Sequence, residues 1–409
     1  MKTTGLCTPR QSEHQFDMNT FVPVESLCGT APEEDGFIYA DSRVAPFVLG
    51  GLLHPDENCG EYYRLDASAK EIYSDANRSL AACTPGGTVR FATDAKEIAL
   101  RITLRAGCFG MHHFCDRGVY GIDVYIGTGT ARRYTGKIMQ TFAENHDVNR
   151  GTVSVAGEDR FNEVMIELPL YAGIEKLEIG LKPGELVGAP TPRSTGAVAF
   201  YGSSITQGGC VSRPGNSYCN IICRALDADC CNYGFSGSAM GETEVASHIA
   251  SRDLACFVMD YDFNSLSCET LRATHEPFFK VIRAAQPTLP VVFVTHPFYS
   301  EPTENDLARI AIIRETYENA LAAGDKNVRF VNSGEFFTAD MRDLYAVDNL
   351  HPNDLGQFSR ACEILPAVRG LLGKSSAGKS IKGKRSPRFP CFFLLFTAPE
   401  VYMYLDKRV

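Results

Sequence analysis

From residue 196 onward the chain alternates between two kinds of segment, and this alternation limits its fold more than any other feature. GAVAFYG, DCCNYG, ACFVMDY, PVVFVTH and VRFVNS are short apolar runs rich in Val and Phe. Between them lie SYCNIICRAL, ETLRATHEPFFKVIRAAQ and ENDLARIAIIRETYENALAAG, whose apolar residues recur at helical spacing. Strands that are apolar throughout are buried on both faces, so five of them separated by helices predict a parallel sheet with helices on either side. Ligands of such sheets bind beyond the carboxyl ends of the strands. The residues directly after each apolar run are therefore the ones to inspect.

The preceding half follows another rule. EIALRITL, GIDVYIG, NEVMIELPL and EKLEIGL alternate apolar and polar residues with period two. That pattern marks strands buried on one face, as in an antiparallel, jelly-roll-like β-sandwich. FVLGGLL and YYRLDA are further strand candidates, whereas the first 35 residues carry little pattern and are expected to be poorly ordered. KPGELVGAPTPRSTG, residues 182–196, is rich in Pro and Gly and reads as a linker. The expected organisation is a sandwich domain over 1–185, an α/β domain over 195–372, and a tail over 373–409. The tail carries six Lys or Arg and no acid between 374 and 388, then PCFFLLF, and is expected to be disordered.

A net charge of −9 argues against nucleic acid or an anionic membrane as the main partner. No run is long and apolar enough to span a bilayer, and MKTTGLCTPRQSEHQF lacks the apolar core of a secretory signal. Fifteen cysteines, an odd number that includes the adjacent Cys230 and Cys231, do not read as a disulfide framework. A reducing, cytoplasmic setting is the expectation.

The strand ends supply the parts for acyl transfer. Ser204 follows the first run, Gly237 the second, Asn264 the third and His296 the fourth, and VDNLHPND after the fifth carries Asp348 and His351. A nucleophilic serine needs a base, and the base needs an orienting acid. The developing oxyanion needs donors, here the N–H groups of Ser204 and Gly237 and the Asn264 amide. One loop can deliver both Asp348 and His351.

GSSITQG, NYGFSG, the asparagine after the third strand and DNLHP together resemble the four blocks of the SGNH (GDSL-type) hydrolases. GIDVY and LPLYAGIEKLEIGL upstream resemble the two-domain branch, in which a β-sandwich with a GxDLY-type motif precedes the hydrolase. The resemblance implies a flavodoxin-like three-layer α/β/α domain. It also implies Ser204 as nucleophile, Asp348 and His351 completing a triad, and Ser204, Gly237 and Asn264 as the oxyanion hole. The chain departs from the pattern at Ser203, where the family has Asp, and in the third block, where Asp262-Phe263-Asn264-Ser265 replaces GxND.

The resulting expectation is a serine esterase that removes small acyl groups, acetyl first among them, from a small-molecule or carbohydrate ester, without metal or organic cofactor. The alternatives are a thioesterase or lipase for longer chains, or a decayed carbohydrate-binding protein; a homo-oligomer is compatible with either. His296 is the rival base and a pocket-lining candidate, and Arg213 in SRPG a candidate for gripping substrate. CFGMHHFC, residues 108–115, lacks the CxxC or HxxxH spacing of a zinc site and reads as a sandwich loop that brings His113 toward the cleft. GKSSAGKS, residues 373–380, matches a phosphate-binding loop by letter, but AVRGLL before it reads as helix rather than the required strand.

Overall fold

Why the strands fall silent at glycine becomes clear in the computed structural model, which describes residues 16–29, 31–105, 110–138, 148–157, 159–335 and 339–375. The five apolar runs form β1 (Val198–Gly202), β2 (Cys230–Gly234), β3 (Cys256–Asp260), β4 (Val291–Val294) and β5 (Val328–Val331). They build one parallel sheet in the order β2-β1-β3-β4-β5, the flavodoxin-like arrangement. Gly202 is level with both Gly234 and Asp260, so the first three strands end together. A Cβ on Gly202 would stand 2.1 Å from Thr206 Oγ1, and one on Gly234 would stand 2.2 Å from the Gln207 nitrogen. Only glycine lets the turn after β1 tuck over its neighbours.

That turn is the short helix α1 (Ser204–Gln207); the longer helices are α2 (Tyr218–Leu226), α3 (Thr243–Ala250), α4 (Cys268–Ala285), α5 (Glu304–Ala322) and α6 (Asp354–Ser375). One face of the sheet buries Val198, Phe200, Cys256, Val258, Val292 and Val294 against α2 and α6. The other buries Ala199, Tyr201, Phe257, Met259 and Phe293 against α3, α4 and α5. Alternate residues of each strand thus serve opposite layers, which is why these runs are apolar throughout.

The upstream half is a sandwich of antiparallel sheets. Glu97–Leu104 pairs with Ile174–Leu181 and Val148–Ser154, and Ile38–Asp41 closes that sheet. Facing it, Thr88–Thr93, Asn162–Glu167, Ile122–Ile126 and Arg133–Ile138 follow one another. Val89, Phe91, Leu100, Ile102, Val124, Ile166, Leu177 and Ile179 fill the space between.

Three expectations change. The segment 182–196 is not merely a linker: Leu186–Gly188 pairs with Thr88–Thr93, and Val22–Pro23 extends the edge, so the chain is ordered well before residue 35. FVLGGLL contributes the strand Val48–Gly50, but YYRLDA forms none. Instead Tyr63 and Leu65, with Tyr73, Leu80 and Ala81, pack into the α/β core on the α3–α4 side. Arg64 enters the same layer and donates to the carbonyls of Asn232, Gly234 and Leu80 at 2.7–2.9 Å. Three backbone acceptors explain how an arginine can be buried there.

Among the described residues Cys219, Cys223, Cys230, Cys231 and Cys256 are buried thiols outside any disulfide. No helix among the described residues is long and apolar enough to cross a membrane. The phosphate-loop match is preceded by α6, which runs through Ser375, so the strand required before such a loop is absent. The basic tail from residue 376 and Cys108 lie outside the described residues.

Candidate active site

Ser203 has extended backbone, and its hydroxyl accepts from the Ile205 N–H at 3.2 Å, capping α1. A carboxylate at this position would serve as the same cap, which accounts for the tolerated departure from Asp. Capping leaves Ser204 as the first residue of α1, where a backbone N–H has no partner inside the helix. Beneath the turn, Thr206 Oγ1 donates to Asp260 Oδ2 at 3.1 Å and Tyr218 Oη donates to the same oxygen at 2.7 Å. Arg360 closes this buried network on the other carboxylate oxygen.

The Ser204 hydroxyl lies 2.8 Å from His351 Nε2. His351 Nδ1 lies 2.8 Å from Asp348 Oδ2, while the His351 backbone N–H donates to Asp348 Oδ1 at 2.7 Å. The i, i+3 spacing lets one carboxylate hold both the loop and the ring. With Nδ1–H on Asp348, Nε2 is left as an acceptor for the serine proton. Burial would raise the Asp348 pKa, but the His351 hydrogen bonds outweigh it and hold the carboxyl below its usual range. It stays ionised at neutral pH.

Gly237 has φ +69°, the left-handed region, and nothing lies within 4 Å of where a side chain would project. Its loop is tied to α1 by Gln207, whose Oε1 accepts from the Ser236 N–H at 3.0 Å. Asn264 stands four residues past the end of β3, and its buried Oδ1 has no hydrogen-bond partner among the described residues. Because β1, β2 and β3 end level, Ser204, Gly237 and Asn264 occupy three adjacent loops at one sheet edge.

His296 is placed differently from the rival base it was weighed as. Its Nδ1 meets Asp262 Oδ2 at 2.5 Å, its Nε2 faces Asp306 Oδ1 at 3.3 Å, and the side chain is 3% exposed. Burial alone would lower its pKa; the charge and hydrogen bond of Asp262 reverse this and raise it. Arg309 donates to the carbonyls of Asp262 and Ser265, on either side of Asn264. The pair and the arginine therefore brace the Asn264 loop, and Asp262 is the anchor in the departing third block.

Arg213 is likewise not free to grip substrate. It donates to Asp123 Oδ2 at 2.5 Å and to Tyr125 Oη at 2.8 Å, and its guanidinium lies 4.2 Å above the Tyr134 ring. Asp123 also accepts from the Gly215 N–H at 2.9 Å. Asp123 and Tyr125 are the polar members of GIDVY, so the motif's outer face clasps the SRPG turn just beyond α1. This role was missed, although an acid inside a strand of buried residues calls for a cation.

The sandwich domain reaches the site in two more ways. Phe114, Val119, Leu170 and Tyr171 pack with Val211 in one buried cluster, and Tyr171 Oη donates to the Ser204 carbonyl at 3.1 Å. His113 stands with Nε2 3.7 Å from Asp348 Oδ2 and its ring 5.1 Å from that of His351. CFGMHHFC thus does carry a histidine to the cleft.

Family comparison agrees with this geometry. Residues 195–369 match the GDSL-like lipase/acylhydrolase family, and residues 37–187 match the N-terminus of the SGNH-hydrolase-type esterases with the GxDLY motif. The chain belongs to the SGNH (GDSL-type) hydrolases. As a member it is a hydrolase of ester bonds. No curated protein matches it. Among solved structures, a GDSL-like protein from Bacteroides ovatus ATCC 8483 is 22% identical with a TM-score of 0.70, covering 87% of this chain and 98% of its own. The salicylyl-acyltransferase SsfX3 of a tetracycline biosynthetic pathway is 14% identical with a TM-score of 0.67, over 84% and 99% of the two chains. A family two carbohydrate esterase from Clostridium thermocellum, in complex with cellohexaose, is 14% identical with a TM-score of 0.54, over 71% and 94%. These likenesses extend across both domains of this SGNH hydrolase and speak for its fold.

Proposed function

We propose that this SGNH hydrolase is a serine esterase that removes small acyl groups, acetyl first among them, from a carbohydrate or similar polar ester. The observation that carries the reading is the unbroken relay from the Ser204 hydroxyl through His351 to Asp348, with both links at 2.8 Å. In this mechanism Ser204 Oγ attacks the ester carbonyl while His351 Nε2 takes its proton. The carbonyl oxygen becomes an oxyanion that the N–H groups of Ser204 and Gly237 and the Asn264 amide stabilise. Asp348 steadies the imidazolium without taking the proton itself. His351 then protonates the leaving alkoxide, the C–O bond breaks, and an acyl-Ser204 ester remains. Water, deprotonated by the same imidazole, repeats the attack and restores the serine.

The carbohydrate reading draws support from fold neighbours that are family two carbohydrate esterases, from Clostridium thermocellum and Cellvibrio japonicus. A reducing, cytoplasmic setting is part of the same proposal; it draws on the odd number of cysteines in the sequence. A second reading, hydrolysis of longer acyl chains, draws on Val347 and Leu350, exposed apolar residues beside Asp348 and His351, and on exposed Met111 near His113. Turnover of p-nitrophenyl acetate and octanoate, with Ser204→Ala as control, separates the two. Preference for acetate, with acetate released from an acetylated oligosaccharide, supports the first; preference for octanoate favours the second. No turnover of either ester would contradict both.

A further inference from the structure

Three side chains from segments far apart in sequence meet beside the relay: His113 from the sandwich loop, Cys210 just past α1, and His351. Their donor atoms all lie within 4.8 Å of one another. We propose that His113, Cys210 and His351 form a zinc(II) site, and that zinc bound there reversibly inhibits the esterase by drawing His351 away from Ser204. The inhibition, though not the binding, rests on the reading of His351 as the base.

Zinc takes N and S ligands at about 2.0–2.3 Å in tetrahedral geometry, which sets donor atoms roughly 3.3–3.8 Å apart. The observed cluster needs a contraction of about 1 Å, within reach of rotamer adjustment. Two imidazoles and one thiolate suit a borderline-soft divalent ion, and a water completes the tetrahedral set. His113 Nε2 is buried with no hydrogen-bond partner among the described residues, so it gives up no hydrogen bond to take a metal. Cys210 has φ +67°, a left-handed conformation in which a glycine would be easier, so the backbone itself presents this thiol beside the relay.

Burial and the Asp348 charge push the Cys210 thiol up to about 12. Without metal it is a protonated, poor nucleophile; a dication supplies the charge that makes the thiolate stable. On binding, the S–H proton passes to solvent, a Zn–S bond forms, and no electron is transferred. His351 coordinates through Nε2, which leaves the Ser204 hydroxyl, while Nδ1–H stays on Asp348 in a carboxylate–histidine–zinc arrangement. The long-range fold creates the cluster: neither CFGMHHFC nor the region around Cys210 has metal-ligand spacing by itself.

The test uses the full chain stripped with chelator, titrated first with Co(II) as a spectroscopic probe and then with Zn(II). One Co(II) per chain should bind with tetrahedral visible bands and a thiolate-to-cobalt charge-transfer band. Cys210→Ser should lose that band and bind zinc about 100-fold more weakly or worse, and His113→Gln should weaken Co(II) binding as well. Zinc should inhibit p-nitrophenyl acetate hydrolysis by the wild type, with full recovery on adding EDTA, while Cys210→Ser stays active and resists zinc. Absence of the charge-transfer band, or equal zinc binding and inhibition in Cys210→Ser, would overturn the site. Zinc bound at Cys210 without inhibition would overturn the coupling to His351. A chain inactive on every ester refutes the esterase reading instead, and the cobalt spectrum still decides the metal site.

Discussion

Two histidine–aspartate pairs stand at the same edge of the parallel sheet, one loop apart, and the protein uses them in opposite ways. His351 and Asp348 follow β5; His296 and Asp262 join the loops after β4 and β3. In each pair the aspartate meets Nδ1, at 2.8 Å in the first and 2.5 Å in the second. The difference lies in what surrounds the acid and what faces the other nitrogen. The Asp348 side chain is 35% exposed and the Asp262 side chain 2%. His351 Nε2 meets a hydroxyl whose proton it can take, whereas His296 Nε2 faces a second carboxylate, Asp306, and is held between Phe263 and Phe298. A base needs a neutral, cycling nitrogen in contact with the reacting group, and a brace needs a permanent partner. The same two residue types therefore give a relay in one loop and a strut in the next.

The sharpest way to break this comparison is to remove the reacting pair. Ser204→Ala or His351→Ala should each lower kcat by about a million-fold, and the double variant should be no worse than either alone because the two act as a unit. Additive losses, measured by steady-state kinetics, would show that they do not share one step. Asp348→Asn comes next, with a loss of about ten-thousand-fold in kcat and little change in KM, since the imidazole would lose its tautomer and its counter-charge. An Asp348→Asn enzyme near wild-type activity would move the orienting acid elsewhere.

The brace should fail differently. Asn264→Ala is expected to cost about 100- to 1000-fold in kcat with an unchanged melting temperature, as for loss of one oxyanion donor. His296→Asn leaves Asp262 buried without its cation and should destabilise the fold by about 3–5 kcal/mol. Thermal denaturation beside kinetics tells these apart: if His296→Asn kept its melting temperature and lost all turnover, the histidine would be a catalytic group after all.

A third class of histidine sharpens the contrast at smaller scale. Among the described residues His248 and His275 are buried without a carboxylate hydrogen-bond partner, His275 Nδ1 resting on Thr316 Oγ1 at 2.8 Å. Burial pushes both pKa values down to about 4, from an ordinary value of 6.5. In the unfolded chain these rings take protons below 6.5, whereas in the folded chain they do not until near 4. Their contribution is therefore complete above 6.5 and is lost as pH falls through that window. Chemical denaturation from pH 7 to pH 4 should show falling stability, with a shallower slope in His275→Gln. An unchanged slope would mean that His275 is not held neutral.

Much of this was legible from pattern alone. The period-two strands and the fully apolar strands belong to two sheet types because burial on one face or two dictates residue choice directly. Ser204, Asp348 and His351 stood out as candidates at a strand end opening a helix and in an i, i+3 loop, and the resemblance to the SGNH blocks assigned their roles. The functions of His296 and Arg213 were not, because each depends on a partner 34 and 90 residues away, Asp262 and Asp123. YYRLDA looked like a strand because aromatic residues suit sheets, yet Arg64 satisfies carbonyls of another layer and the segment packs as irregular chain. Local propensity yields where tertiary contacts supply both the burial and the hydrogen bonds.

The most direct test of the relay is to trap its covalent intermediate. Rapid quenching of the enzyme with p-nitrophenyl acetate, followed by peptide mass spectrometry, should find an acetyl group on Ser204 in the wild type and more of it in Asp348→Asn if deacylation slows most. An acetyl group on any other residue, or turnover that survives intact in Ser204→Ala, would contradict the account.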